Sequence, residues 1–474
     1  GNAMKSYLQP KRLSLLLATL MTFSAVSQAD NLMDVYQLAL ENDNQLKADR
    51  AAYEAGMESI TIGRAGLLPQ VKGDLGWDKN DSDKSNNINS GIWLNQNDVD
   101  QEQTFWAVSL SQPLFDMRAW HAYQQGAVLS ELSTAQFSAD QQSLIIRVAD
   151  SYFNVLRRVD NLETALAEEK ALSHQWQQTK QRFEVGLTAV TDVHEARAAY
   201  DSSTASSLEA KGRLGISYEQ LEVITGTAHD QIAPLQANFP VTDPVPAERH
   251  KWVEFALDNN YSLKVAQLQS QASHQNAKAK KAGHYPTLSA TASYRQSTEN
   301  GRTQRDTIGT YQPSSPFDTD TEGEFYSLSL NVPIFSGMRV SGERRQAQGQ
   351  YLQAQELSYL AQRNTIQQAR SRHLGVVTNV ARVNARQQAI VSSNSAMEAT
   401  QAGYEVGTRN LVDVLNVQRN LYQAKRNFSN ALYDYVIGQL ELKQVAGNLT
   451  PADVKVLSQY LDNAAVVSRA AYGA

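Results

Sequence analysis

Eight histidines, 49 acidic residues and no cysteine are the raw material from which this 474-residue chain could build a reactive centre. Their spacing does not build one. There is no His-Glu-x-x-His, no Gly-x-Ser-x-Gly and no P-loop, and the histidines are scattered without metal-ligand spacing, so we expect no catalysis, no cofactor and no metal. What the chain does repeat is a charged phrase: "FEVGLTAVTDV" (183–193) returns as "YEVGTRNLVDV" (404–414). Glycine tolerates the left-handed conformation that ends a helix, so Gly186 and Gly407 predict two helix stops. Thr188 and Thr408 are suited to cap the helix that follows. Asp192 and Asp413 fall in or near its first turns, where a carboxylate complements the helix dipole. The phrase reads as a tight reversal between two long helices, made twice.

Proline maps the elements that position these reversals. Windows 114–233 and 334–450 contain none and are rich in Ala, Gln, Leu, Glu and Arg, which predicts helix. From Ala119 to about Val185 the only glycine is Gly126, and roughly 100 Å of helix follows from a rise of 1.5 Å per residue. Apolar residues step by 3 and 4 through Ile145, Val148, Tyr152, Val155, Val159 and Leu162, and again through Ile366, Ala369, His373, Val376, Val380 and Val383. Such a seam predicts coiled-coil packing against neighbouring helices. His373 sits on it as a packed residue and not as a ligand.

The halves align piece by piece. "LPQVKGDLGW" (68–77) matches "YPTLSATASY" (285–294) at an offset of 217, and "FWAVSLSQPLF" (105–115) matches "FYSLSLNVPIF" (325–335) at 220. The chain therefore divides into a first repeat (30–232), a linker (233–250), a second repeat (251–447) and a C-terminal segment (448–474), each repeat reading helix, strand, long polar loop, strand, very long helix, reversal, helix. Trp106, Val108 and Leu110, with Tyr326, Leu328 and Leu330, alternate with polar residues and predict ribbons with one apolar face. Strands near 68–77, 105–115, 285–294 and 325–335 have the length of a tilted membrane strand, and aromatics gather at their ends as in an interfacial girdle. Pro69, Pro113, Pro286 and Pro333 mark the strand–helix junctions. The loops 78–104 and 295–324 carry the length difference and are expected to be exposed. Four strands cannot close a barrel, and open edges are not tolerated in hydrocarbon, so the chain must share its barrel with copies of itself.

At the amino end Gly1-Asn2-Ala3 reads as a tag remnant, and residues 4–29 as a signal peptide: Lys5, Lys11 and Arg12, an apolar stretch from Leu13 to Val26, then Ser27-Gln28-Ala29. Without it the chain carries 40 basic and 49 acidic residues, which argues against nucleic acid as a partner. The lack of cysteine argues against disulfides and against a lipid-modified amino terminus.

The phrases "NLMDVYQLA" (31–39), "QRFEVGLTAVTDV" (181–193), "AGYEVGTRNLVDVL" (402–415) and "LYQAKRNFSNALYDYVIGQLELK" (421–443) resemble the TolC family of outer-membrane efflux and secretion channels. The resemblance covers nearly all of the chain after residue 29. It implies a mainly α protein with membrane β, in which a homotrimer builds a twelve-stranded barrel continuous with a coiled-coil helical barrel across the periplasm. An equatorial region would come from residues 226–250 and the segment after Leu449. It also implies an outer-membrane exit duct in a Gram-negative bacterium, set in outer-membrane lipid and served by a periplasmic adaptor (membrane fusion) protein and an inner-membrane RND or ABC transporter. By resemblance, Asp192, Tyr404 and Arg409 make the links that shut the periplasmic aperture, with Thr191 beside them, and Asp413 and Asn416 line its narrowest ring. The family commonly has a second aspartate where this chain has Asn416, so cation block is expected to be weaker here. A trimeric surface adhesin with a coiled-coil stalk is the rival reading, but it predicts strands at one terminus only.

Overall fold

Two copies of one plan make up the computed structural model, which describes residues 29–87, 94–307 and 312–473. The first copy runs α1 (Leu32–Asn42), α2 (Asn44–Ala65), β1 (Gln70–Asn87), β2 (Leu94–Phe115), α3 (Met117–Glu184) and α4 (Val190–Thr225). A short β3 (Gln231–Ile232) lies in the linker. The second copy runs α5 (Arg249–Asn259), α6 (Tyr261–Lys281), β4 (Thr287–Thr307), β5 (Ser315–Asn331), α7 (Arg339–Glu405) and α8 (Leu411–Val445), followed by α9 (Pro451–Ser458) and β6 (Val467–Ser468). Of the expected tag remnant and signal peptide, all but Ala29 lies outside the described residues, as do residues 88–93 and 308–311 of the expected loops.

The strands form one antiparallel sheet in the order β1-β2-β4-β5, so the two repeats are sewn together at the β2–β4 seam. Leu75 is 82% exposed, Tyr326 73%, and Val71, Leu328 and Leu330 are exposed too, so one face of the sheet is an apolar band that no described residue covers. Across the ladder Trp77, Trp106, Tyr294 and Tyr326 each step two residues from the one before, and the Trp106 and Tyr294 rings lie 5.3 Å apart. The outer edges of β1 and β5 have no partner strand among the described residues. No helix among those residues is long and apolar enough to cross a membrane.

Two expectations about the strands need correction. The segments 78–104 and 295–324 are mostly strand: the ladder pairs Trp77 with Thr104 and continues through Asp81 and Asp100 to Asn87 and Leu94, and β4 and β5 pair up to Thr303 and Ser315. A backbone ladder satisfies its own donors and acceptors whatever the side chains, so it persists beyond the apolar band. At 18 to 22 residues, and roughly 3.3 Å per residue, β1, β2 and β4 are about twice the height of a ~30 Å hydrocarbon layer. The fourth strand, by contrast, stops at Asn331, short of the expected 335, because Pro333 cannot donate to a ladder. Pro69 and Pro286 stand immediately before β1 and β4. Pro113 lies inside the end of β2, with a register slip between it and Phe115.

α3 and α7 are 68 and 67 residues long. The seam of α3 packs as its period predicts, with Leu144, Val148, Tyr152, Val155 and Val159 at most 2% exposed. The linker and the C-terminal segment close around its middle. Tyr152 Oη donates to Ala233 O (2.6 Å) and Asp30 O (3.2 Å), Gln236 N–H donates to Tyr460 O (2.9 Å), and β3 pairs with β6. α3 is bound to α8 by Asp160, which accepts from Ser429 Oγ (2.5 Å) and Tyr433 Oη (3.0 Å) and whose pKa burial pushes up. His373 is buried, its Nε2–H directed at Ala247 O (3.0 Å), as a seam residue would be.

Candidate aperture at the helix reversals

Both reversals are built the same way. Gly186 (φ 78°) and Gly407 (φ 80°) are left-handed. Leu187 N–H donates to Arg182 O (2.8 Å) and Thr408 N–H to Gly403 O (2.8 Å), the six-to-one bond that closes a helix C-terminus over such a glycine. A β-carbon at either glycine meets nothing within 4 Å, so substitution there meets backbone strain alone. Gly407→Ala should lower stability by roughly 1–2 kcal/mol per chain. Gly349→Ala, on the open face of α7, should instead be neutral or stabilising by up to about 1 kcal/mol. Thermal unfolding of the two purified variants checks the pair, and equal effects would contradict the strain argument.

The capping assignment needs correction. The N-cap positions are Ala189, which has no side-chain bond, and Asn410, whose Oδ1 accepts from Asp413 N–H (2.9 Å). The threonines lie too early in the turn to reach the free helix amides. Thr188 Oγ1 donates to Asp192, and Thr408 Oγ1 turns back to Gly403 O (3.1 Å). Asp192 and Asp413 do occupy first turns.

Within one protomer Arg409 is joined to Asp413, Nη1 to Oδ2 at 3.8 Å, one helical turn along, and its stem lies against Gly403. Asn416 follows Asp413 by three positions and is exposed on the same face of α8; Thr191 is exposed at the start of α4. Tyr404 is elsewhere. Its ring is buried with Leu172, Ala196, Leu411, Val414 and Leu415, where α3 and α4 meet α7 and α8, and its hydroxyl has no acceptor. The Arg182 guanidinium lies 5.0 Å from the Tyr404 ring centre, with its Nε also unpartnered. Among the described residues no hydrogen bond or ion pair joins Asp192 to Tyr404 or Arg409. The tips are apolar: Val185, Leu187 and Val406 are each at least 67% exposed, with Phe183 and Val190 beside them.

Sequence reading missed a charged groove above the aperture. A cavity of about 770 Å³ opens between α3, α4 and α8, lined by Arg157, Arg158, Arg213, Arg419 and Arg426 together with Glu168 and Asp434. Arg157 pairs with Asp434 (2.9 Å) and Arg426 with Glu168 (2.7 Å), tying the two repeats together. Burial, then Arg213 and Arg157, lowers the Arg158 pKa. The seven-residue spacing of Arg419 and Arg426 on one helix face was the available signal. No group of acidic or histidine side chains among the described residues has metal-holding geometry.

Known proteins resemble the chain throughout. The outer membrane efflux protein family matches residues 35–227 and 252–448. The chain is 34% identical over 442 residues to the outer membrane protein TolC of Vibrio cholerae, covering 92% of this chain and 95% of that one. It is 29% identical over 429 residues to the alkaline protease secretion protein AprF of Pseudomonas aeruginosa, covering 90% and 86%. A crystal structure of CusC, reported with the conformational changes that accompany folding and transmembrane channel formation, superposes with a TM-score of 0.72 at 16% identity, over 88% of this chain and 92% of that one.

Proposed function

The chain belongs to the outer membrane efflux protein family, and from that premise we propose how it forms and gates a passage. It is an outer-membrane exit duct for efflux and type I secretion. The observation that carries the mechanism is the pair of bare edges on a sheet whose outer face is apolar. Unpaired backbone groups are too costly in hydrocarbon to remain open. Three protomers, each contributing four strands, close the cylinder, and the α-helices continue it downwards as a water-filled tunnel. Substrates pass through unchanged, so no catalytic group is needed.

At the far end the reversals from three copies converge. Asp413 from each lines the narrowest ring with Asn416, and Arg409 and Asp192 hold the inner helix pairs against their neighbours, with the Tyr404 ring packed between α3–α4 and α7–α8. The Arg409 side chain is exposed, and an ion pair it makes there with a neighbouring helix is worth about 0.2–1 kcal/mol, so the latch works through threefold repetition and yields readily. A periplasmic adaptor that seats on the apolar tips around Leu187 and Val406, and binds the untwisted state better, shifts the population towards open. An RND or ABC transporter of the inner membrane then feeds the duct.

Protein purified from outer membranes should give discrete, cation-favouring current steps in planar bilayers under voltage. A preparation that inserts without conducting would favour the stalk reading and sink this one.

A further inference from the structure

Where α6 and α7 approach the sheet, one groove is unlike the rest of the surface. A cavity of about 630 Å³ is lined by Lys278 and Lys281 from α6 and Arg344 and Arg345 from α7, and no carboxylate lines it. None of the four cations has an ion-pair partner among the described residues, whereas nearby Arg339 and Lys280 share Glu343 at 2.9 and 3.8 Å. His274 forms the inner wall, stacked on Tyr351 at 4.6 Å. Burial, followed by Lys278 and His121, lowers its pKa, as an electropositive setting should.

The internal duplication shows that the fold does not require this charge. At the matching positions of the first repeat, on the corresponding helices α2 and α3, stand Met57, Thr61, Arg64, Gln124 and Gln125, a single cation in place of four. The charge therefore answers to something outside the repeat.

Its place says what. Lys281 precedes the first residue of β4 by six positions, and Tyr285 between them is 40% exposed. On the α7 side, Ile334 and Phe335 are 94% and 80% exposed, just past β5. These apolar side chains mark the inner boundary of the hydrocarbon. At 1.5 Å per residue Lys281 and Lys278 lie roughly 6–10 Å below it and Arg344 and Arg345 at most about 15 Å below, at or just under the lipid headgroups, and long basic side chains reach upwards to that level.

We propose that this groove binds the phosphate of an anionic glycerophospholipid in the inner leaflet of the outer membrane. Arg344 and Arg345 offer planar forks that match phosphate oxygens, and Lys278 and Lys281 add point charge. Three such sites, alternating with the single-cation α2–α3 pairs of the first repeat, fix the protein vertically at its waist. The inference rests on the membrane placement of the sheet.

The test uses the intact detergent-purified trimer, equilibrated with mixed micelles of phosphatidylglycerol and phosphatidylcholine, counting retained lipids by native mass spectrometry. Each cation near an anionic surface is worth roughly fivefold in binding, so K278Q/K281Q/R344Q/R345Q should retain phosphatidylglycerol at least about tenfold less well. R363Q/R370Q/R386Q, which removes exposed α7 cations far from the membrane, should retain it normally. The bilayer current steps of the quadruple variant should be unchanged. Undiminished retention in the quadruple variant, equal loss in the control, or displacement of the lipid by inorganic phosphate each overturns the proposal while leaving the duct intact.

Discussion

Replacing Asn416 by aspartate is expected to tighten block of the current by a trivalent cation by roughly thirtyfold. Asn416 is exposed one turn beyond Asp413 on the same face of α8, so the change turns three carboxylates into six in the trimer. At an ion–carboxylate distance on the order of 8 Å in water, each added charge attracts a trivalent ion by about 1.5 kcal/mol before screening. A Debye length of about 10 Å reduces that by half, and three charges then supply roughly 2 kcal/mol. Titrating the blocker in bilayers reads the change, and Asp413→Asn should move block the opposite way. If both variants block as the parent does, α8 does not line the constriction.

The second large effect is on conductance. Arg409→Ser removes three links, each worth about 0.2–1 kcal/mol, and so shifts the closed–open balance by up to roughly a hundredfold. Single-channel current should rise several-fold. Because Arg409 also lies 3.8 Å from Asp413 within its own chain, a rise there alone could come from unmasking that carboxylate. Asp192→Ala leaves the Arg409–Asp413 pair untouched and should raise the current as well. An increase in the first variant and none in the second would assign Arg409 to ion selectivity and remove Asp192 from the latch.

The duplication, the long helices and the two reversals were legible because each leaves a strong local mark: proline-free windows, seams of period 3.5 and glycines where φ must be positive. Strand ends were not. The alternation that revealed Trp106, Val108 and Leu110 exists only where one face meets lipid. Past Trp77 the ladder from Asp78 to Asp83 is polar on both faces and resembles a loop. The caps failed for a related reason. Thr188 and Ala189 are adjacent, and which of them starts a helix depends on how tightly the turn closes over Gly186. The resemblance assigns Tyr404 to the aperture links, but that its ring is buried among Leu172, Ala196 and Leu415 depends on how four helices meet, which no single segment records. The basic groove went unnoticed because its four cations come from helices separated by the β4–β5 hairpin.

The most direct measurement of whether three chains close one cylinder is a disulfide across the seam between them. The repeats predict its register: offsets of 220 and 217 carry the Ala107–Arg295 pair of the β2–β4 seam onto Ser327 of one protomer and Asp78 of the next. Within one chain these positions lie on opposite edges of a four-stranded sheet, three strand spacings of about 4.8 Å apart, too far for a disulfide. In this cysteine-free protein, Asp78→Cys with Ser327→Cys should oxidise to a covalent trimer on a denaturing gel. Asp78→Cys with Leu328→Cys, one residue out of register and on the other face, should not. A monomer that stays unlinked in both would show that β1 and β5 do not meet, and that no closed conduit is formed.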